Sequence, residues 1–457
     1  MKLRYKFIDL FAGCGGLSLG MENAGFTPIY VNELNPDAMH SYLRNRNHKL
    51  GGEYFSEIKS LQSNDINLLS QNKLKDLQSE FRNIPEIDYV FDAKKSNSGG
   101  GSNIDLIAGG PPCQGYSNIG HRRSYSVDKS EIISNKLYLR MIEVIKVLRP
   151  RIFLFENVRG LLTSKWIKKS KTDHFGKPCL SPIWPEIYES FKDIPFYSIK
   201  WSLVHSKNYG VPQNRPRLIL VGIRNDVTET SSLIDLDFKN EDAVASGFLP
   251  QPKYNKYPHL DELLSDLIDP KIDPILRSGN YPSGPLETTF YPTKPKTKIQ
   301  AQFRRTRSGK TLDDNSLSEH LYSKHRPHIV KKFIFMIRNN GKIPEEYRTK
   351  KFRQKLLEKN WSDNGPSITT TSLPDDFVHF SQPRILTVRE WARLQMFPDW
   401  YQFSGKRTTG GLRRAGNPRE GIHDRELPKY TQIGNAVPVK LAENIGLHFK
   451  KIIDSCQ

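Results

Sequence analysis

The chain has 457 residues, 37% hydrophobic and 26% charged, enough for one large core and a second, smaller body. Lys and Arg number 69 against 49 Asp and Glu, a net charge of +20 that favours a polyanionic partner such as nucleic acid. The cysteines Cys14, Cys113, Cys179 and Cys456 lie far apart with no CxxC pair, which argues against a disulfide framework or a zinc site, and no run of about 20 apolar residues could cross a membrane.

The N-terminal MKLRYKFIDL passes straight into a strand with no apolar leader, so a soluble, cytoplasmic protein is expected. In chain order KFIDLFAG, PIYVNE, IDLIAGG, RIFLFENV and RLILVGIR are apolar runs of strand length. Between them LSLGMENAG and KLYLRMIEVIKVLRP space their apolar residues as helices do. This alternation predicts an α/β domain whose parallel sheet is covered on both faces. Lys94 to Asn103, KKSNSGGGSN, reads as a flexible surface loop without chemistry. From about Arg224 to Gln382 the rhythm stops, and proline-spaced segments rich in Lys, Arg, Tyr and Phe predict a separate, basic, irregular domain. TVREWARLQMF then has a helical period behind a threonine cap, and VPVKLAENIGLHFKKII predicts a last amphipathic helix.

Four places carry chemistry. In DLFAGCGGLSLG a strand leads through glycines into a helix; Gly13 and Gly15 allow a tight turn and close approach of a ligand to the helix start. Glu33 ends the next apolar run, 20 residues past Gly13, where a carboxylate can accept from ribose hydroxyls. A nucleoside-bearing cofactor is expected, although a nicotinamide site would show the same spacing. Cys113 in GGPPCQGYS follows a strand directly, and Pro111 and Pro112 stiffen its loop. Set among Gly, Pro, Gln and Ser instead of in an apolar element, it reads as a nucleophile. Glu156 and Asn157 emerge at the end of RIFLFENV, where burial would raise the carboxyl's pKa and let it carry a proton. In QNRPRLILVG, Arg215 and Arg217 stand two apart and so on one face, suited to a phosphate or carbonyl oxygen.

DLFAGCGG, GGPPCQGYS, ENVRG, QNRPR, TVREWARLQMFPDW and QIGNAVPV occur in this order, and together they resemble the ordered motifs of the DNA cytosine-5 methyltransferases. The resemblance implies a Rossmann-like, class I S-adenosylmethionine-dependent methyltransferase domain, residues 1–227 plus 428–457. It implies a smaller, mostly irregular or β target-recognition domain with a hinge over 228–427. S-adenosylmethionine would occupy the glycine site, with Phe11 against the adenine, Glu33 on the ribose, Asp65 near the adenine amino group and Asn435 closing the pocket. Cys113 would add to C6 of a flipped-out cytosine, Glu156 would assist at N3 and Arg217 at O2, with Arg215 beside it and no metal. Some of Arg304, Arg305, Arg307, Lys324 and Arg326 would read guanine edges, and Arg407 opens a basic, glycine-rich loop. Expected partners are double-stranded DNA and, functionally, a restriction endonuclease, with the protein a monomer. The tRNA-methylating branch of the family carries a Cys-Phe-Thr tripeptide that is absent here, and a non-catalytic relative would have lost the Pro-Cys or Glu-Asn-Val that this chain keeps.

Overall fold

The computed structural model describes residues 3–46, 62–92, 100–112, 136–172, 178–236, 240–253, 258–348, 354–357, 359, 374–408 and 426–456. The chain forms two compact units, one from 1–205, 216–253 and 441–457, the other from 206–215 and 254–440.

The first unit is built on seven strands. They are β1 (Lys6–Leu10), β2 (Thr27–Asn32), β3 (Gln62–Ser63), β4 (Leu106–Gly109), β5 (Ile152–Val158), β8 (Tyr197–His205) and β9 (Pro216–Arg224), in the order β3-β2-β1-β4-β5-β9-β8. Between β5 and β8 the strands β6 (Lys165–Thr172) and β7 (Pro178–Pro182) form a separate antiparallel ribbon. β1 and β5 are apolar along most of their length because helices cover both faces: Phe7, Ile8, Leu10, Ile152, Phe153 and Leu154 are wholly buried. Each such side chain contributes about 1.5–3 kcal/mol.

From β3 to β5 the sheet is parallel as expected, but β9 runs antiparallel to β5 and β8 antiparallel to β9. The apolar run RLILVGIR is therefore not another parallel unit. It is the return arm of a pair whose first arm, YSIKWSLVH, alternates polar and apolar residues and is only half-buried. The register places the functional segments: Leu10 lies beside Gly109, Glu156 opposite Ile219, and Val158 opposite Arg217. The C-terminal ends of β1, β2, β4 and β5 and the start of β9 thus share one edge, where open α/β sheets hold ligands. The last helix, Val439–Asp454, ends beside β1, where the Tyr5 hydroxyl donates to Asp454 at 2.5 Å.

The second unit is irregular chain punctuated by short helices, among them Leu260–Leu264, Lys298–Phe303, Pro327–Arg338, Val388–Leu394 and Lys429–Asn435. Among its apolar clusters, Phe333, Met336, Val378 and Ile385 form one and Leu276, Leu286 and Tyr322 another. Buried ion pairs supplement them. Arg393 reaches Asp266 at 2.6 Å and Asp399 at 2.7 Å, and Arg304 meets Asp266 at 2.5 Å. Arg384 grips both oxygens of Glu390 at 2.7 Å each. Thr387 caps the helix Val388–Leu394, and Glu390 completes a capping box.

Candidate active site

The turn after β1 leaves backbone open at the start of a helix. Phe11 takes a left-handed φ of 58°, a conformation costing roughly 1 kcal/mol for a residue with a Cβ. Gly13 and Gly15 follow at φ 57° and 85°, and Gly15 caps the helix Gly16–Asn23 without a side-chain hydrogen bond. The first N–H groups of that helix are thus left for something other than a capping side chain. A Cβ placed on Gly13 would meet nothing within 4 Å, so the turn opens on space. Glu33 closes it from β2, its carboxylate accepting from the Gly13 N–H at 2.8 Å and the Asn35 N–H at 2.7 Å. Burial raises the Glu33 pKa, and the two backbone donors oppose that rise.

Asp65 is half-buried and caps the turn Ile66–Leu68, accepting from Asn67 N at 2.9 Å. It is held near Glu33 by Asn32, whose side-chain amide donates to Ser63 Oγ at 2.8 Å and to the Asn64 carbonyl at 3.0 Å, while Glu33 N bonds the Ser63 carbonyl at 3.1 Å. Two residues here escaped the sequence reading. Asn32 looked like the end of a strand, and Leu34, 68% exposed beside Glu33, offers apolar surface that a planar base would cover. The only signal in the sequence was the position of Leu34 directly after Glu33.

Cys113 lies outside the described residues, but what precedes it is clear. A Cβ on Gly110 would sit 2.7 Å from Glu156 Oε2, so this glycine admits the carboxylate against the backbone. Asn157 donates its side-chain amide to the Pro111 carbonyl at 3.2 Å and ties down the loop that leads to the thiol. Glu156 is 9% exposed, and Arg217 Nε lies 2.5 Å from its Oε1. Cys14, by contrast, is buried and its thiol is pushed up to about 12, which makes it inert. The first unit therefore brings together the glycine turn, Glu33, Asp65, Glu156 and Arg217 on one sheet edge.

Arg215 does not share a face with Arg217 as the two-residue spacing suggested. β9 begins only at Pro216, and Arg215 belongs to the second unit, where its guanidinium donates to the Gly434 carbonyl. Gln213 does similar work, donating to Gln395 Oε1 at 2.7 Å, and Gln395 in turn holds the Ile433 carbonyl at 2.8 Å. QNRPR is thus divided between a brace for QIGNAV and a partner for Glu156. Asn435 is exposed at the end of the helix Lys429–Asn435.

One base-reading candidate is corrected. Arg304 is 2% exposed and paired with Asp266. Composition could not separate this structural cation from Arg305, Arg307, Lys324 and Arg326, which are exposed, although Lys324 also donates to the carbonyls of Pro282 at 2.6 Å and Gly284 at 2.5 Å. The loop following Arg407 and Thr408 lies outside the described residues. Among the described residues no group of three His, Cys, Asp or Glu could hold a metal, and no helix is long and apolar enough to cross a membrane.

A family model described as C-5 cytosine-specific DNA methylase matches residues 5–451. The chain is 28% identical to the Type II methyltransferase M.DdeI of Desulfomicrobium norvegicum, over 97% of this chain and 89% of that one. It is 27% identical to the Type II methyltransferase M.BspRI of Lysinibacillus sphaericus, over 97% and 80%. Among solved structures, a protein described as a DNA modification methyltransferase encoded within an E. coli prophage matches with a TM-score of 0.61 at 22% identity, covering 99% of this chain and 100% of that one. That likeness supports the fold.

Proposed function

Because the chain belongs to the C-5 cytosine-specific DNA methylases, we propose that it methylates a specific duplex site through a covalent bond from Cys113 to a flipped-out cytosine, and so protects DNA from a partner restriction endonuclease. The observation that carries this is the placing of Glu156 against Gly110, at the root of the loop that presents Cys113, with Arg217 2.5 Å from its carboxylate. The relatives named Type II methyltransferases support the restriction-modification setting.

The residue types follow from the substrate. C5 of cytosine is a poor nucleophile until something adds to C6. The Cys113 sulfur forms a bond to C6, the C5–C6 π pair moves onto C5, and Glu156 at ring N3 takes up the developing charge by sharing a proton. Arg217, 2.5 Å from Glu156, orients that carboxylate and would hold the O2 side. C5 then takes the methyl group, whose bond to the donor's sulfonium sulfur breaks and leaves its electron pair there as a neutral thioether; the C5 proton leaves to a base, the pair returns to the C5–C6 bond and the thiolate departs. A stacked base could not be approached this way, so the cytosine must leave the helix.

The turn fits the methyl donor, S-adenosylmethionine, which when bound supplies an electrophilic methyl group. Gly13 leaves room for it, the start of the helix Gly16–Asn23 offers N–H donors, Glu33 would accept from ribose hydroxyls, and Phe11, Leu34 and Asp65 would bound the adenine.

Duplex carrying 5-fluorocytosine at the target tests the reading, since fluorine at C5 cannot leave as a proton. Incubated with the methyl donor, the protein should form a complex that survives denaturing electrophoresis, and Cys113→Ser should abolish both complex and methylation. A complex that persisted in Cys113→Ser, or that mapped to Cys14, would overturn the mechanism.

A further inference from the structure

Behind the glycine turn lies a buried polar cluster that no step above uses. Asp9 stands in β1, two residues before Phe11, and is 1% exposed. Ser18, on the helix Gly16–Asn23, donates to its Oδ2 at 2.5 Å, while among the described residues its Oδ1 accepts no hydrogen bond. The Ser18 hydroxyl also lies 2.8 Å from that of Tyr42, on the helix Pro36–Arg44, and both residues are wholly buried. Arg46 closes the cluster. Its guanidinium lies 3.6 Å from the centre of the Tyr42 ring, its Nε donates to Glu22 Oε1 at 2.7 Å, and its Nη2 reaches the Gly15 carbonyl at 3.4 Å. The cluster thus ties β1 to the helix that starts at the glycine turn, and to the cap of that helix.

A carboxyl and two hydroxyls in a row have two directions of donation. With Asp9 ionised, Tyr42 donates to Ser18 and Ser18 to the carboxylate; with Asp9 protonated, its O–H donates to Ser18 and Ser18 to Tyr42. Either way the contacts survive, so a proton can be held or released here without parting strand from helix. Burial pushes the Asp9 carboxyl up to about 7, with Ser18 and Arg46 pulling it down and the charges of Glu22 and Glu33 pushing it up. Glu33 is the carboxylate that closes the glycine turn, so a charge placed at that turn is felt at Asp9. A cation bound there acts with the opposite sign and favours the ionised carboxyl.

We propose that Asp9 is a positioning residue linked to binding of the methyl donor: through Ser18 it holds the helix Gly16–Asn23, and when the sulfonium cation of S-adenosylmethionine enters the turn the Asp9 O–H bond breaks and its proton passes to solvent. This rests on the reading of the protein as a methylase that uses this donor. The demethylated product, S-adenosylhomocysteine, carries a neutral thioether and gives the carboxylate no such support, so Asp9 favours donor over product. Linkage fixes the sign. Donor binding releases a proton, so affinity for the donor rises with pH until the free protein has lost that proton itself, and is level above.

Calorimetry of the full chain without DNA tests this, with thermal unfolding measured on the same preparations. In buffers of different ionisation enthalpy near pH 6.5, wild type should release a fraction of a proton on binding S-adenosylmethionine and less on binding S-adenosylhomocysteine. Asp9→Asn keeps an acceptor for Ser18 but has no proton to give. The gain in donor affinity from pH 6 to pH 7.5 should therefore be about 3- to 10-fold larger in wild type than in this variant. Ser18→Ala removes the link to the helix and should weaken donor and product alike, by roughly 3- to 10-fold at either pH. If wild type releases no proton, or releases as much with the product as with the donor, the linkage is absent and the proposal falls. It falls too if folded Asp9→Asn keeps the wild-type pH dependence, or if folded Ser18→Ala binds both ligands as wild type does. A wild-type chain that bound no S-adenosylmethionine at all would instead remove the methylase reading, and this proposal with it.

Discussion

The two units each bury ion pairs, but the first also buries a carboxyl without a close guanidinium. In the first, the buried carboxyl of Asp9 lies in an apolar strand with a hydroxyl for company: Ser18 donates to it at 2.5 Å, and burial raises its pKa to about 7. In the second, buried carboxylates face guanidiniums directly, and Arg384 and Arg393 hold Glu390 and Asp399 below the usual carboxylate range against the cost of their burial. A parallel sheet with helices on both faces closes its core with apolar side chains and tolerates few charges. An irregular unit ties its segments together with paired charges that fit one arrangement. One consequence is that Arg304, Arg384 and Arg393 in the second unit are scaffold, whereas the first unit holds both a structural pair, Arg46 with Glu22, and the pair Glu156 and Arg217 at the candidate site.

Removing one partner from the second unit should have the largest effect. Asp266→Ala leaves the Arg304 and Arg393 guanidiniums buried without it, and unpaired buried charge costs about 3–5 kcal/mol. Urea denaturation should show that loss. A change below about 1 kcal/mol would mean the network contributes little and the contrast between the units is overstated.

At the first unit's rim the effect should move from stability to rate. Glu156→Gln keeps the shape against Gly110 but removes a carboxylate from Arg217, and methyl transfer should fall roughly 10²- to 10³-fold. S-adenosylmethionine binding should persist, because Glu33 and the glycine turn are untouched. A variant that lost cofactor affinity together with rate would place Glu156 in the scaffold instead of the chemistry.

The same contrast explains what could be read from the sequence. In the first unit, local period matched final structure: KFIDL became β1, IFLFENV became β5, and the glycine turn and Glu33 met as their spacing suggested. The antiparallel return of β9 was not legible, because an apolar strand looks the same in either direction and the weak alternation of its partner β8 went unread. Arg215 and Arg217 could not be separated by spacing, since the difference is where the strand begins. In the second unit almost nothing was legible beyond basicity and the Thr387 cap. Whether Arg304 faces Asp266 or DNA depends on a partner 38 residues away, which no local pattern records.

The smallest and most selective test lies in pH, where the two units should pull in opposite directions. Asp9 rises from an ordinary 3.8 to about 7 on folding, so between roughly pH 4 and 7 the folded chain keeps a proton that the unfolded chain releases. Stability contributed at this residue therefore falls as pH rises through that window and is lost above it. Burial in the second unit does the reverse to histidines: His320 and His325 drop from 6.5 to about 4 and His379 to about 3, so the unfolded chain binds protons first and stability there rises from about pH 4 to 6.5. In the whole protein these trends offset each other, so a single profile is uninformative and a difference is needed. Asp9→Asn retains an acceptor for Ser18 but cannot ionise. Measured against wild type, its stability should gain on the order of 1–3 kcal/mol between pH 5 and pH 8 and level off beyond. If the gap between the two proteins stays constant across that range, Asp9 is ionised throughout and is buried as a charge.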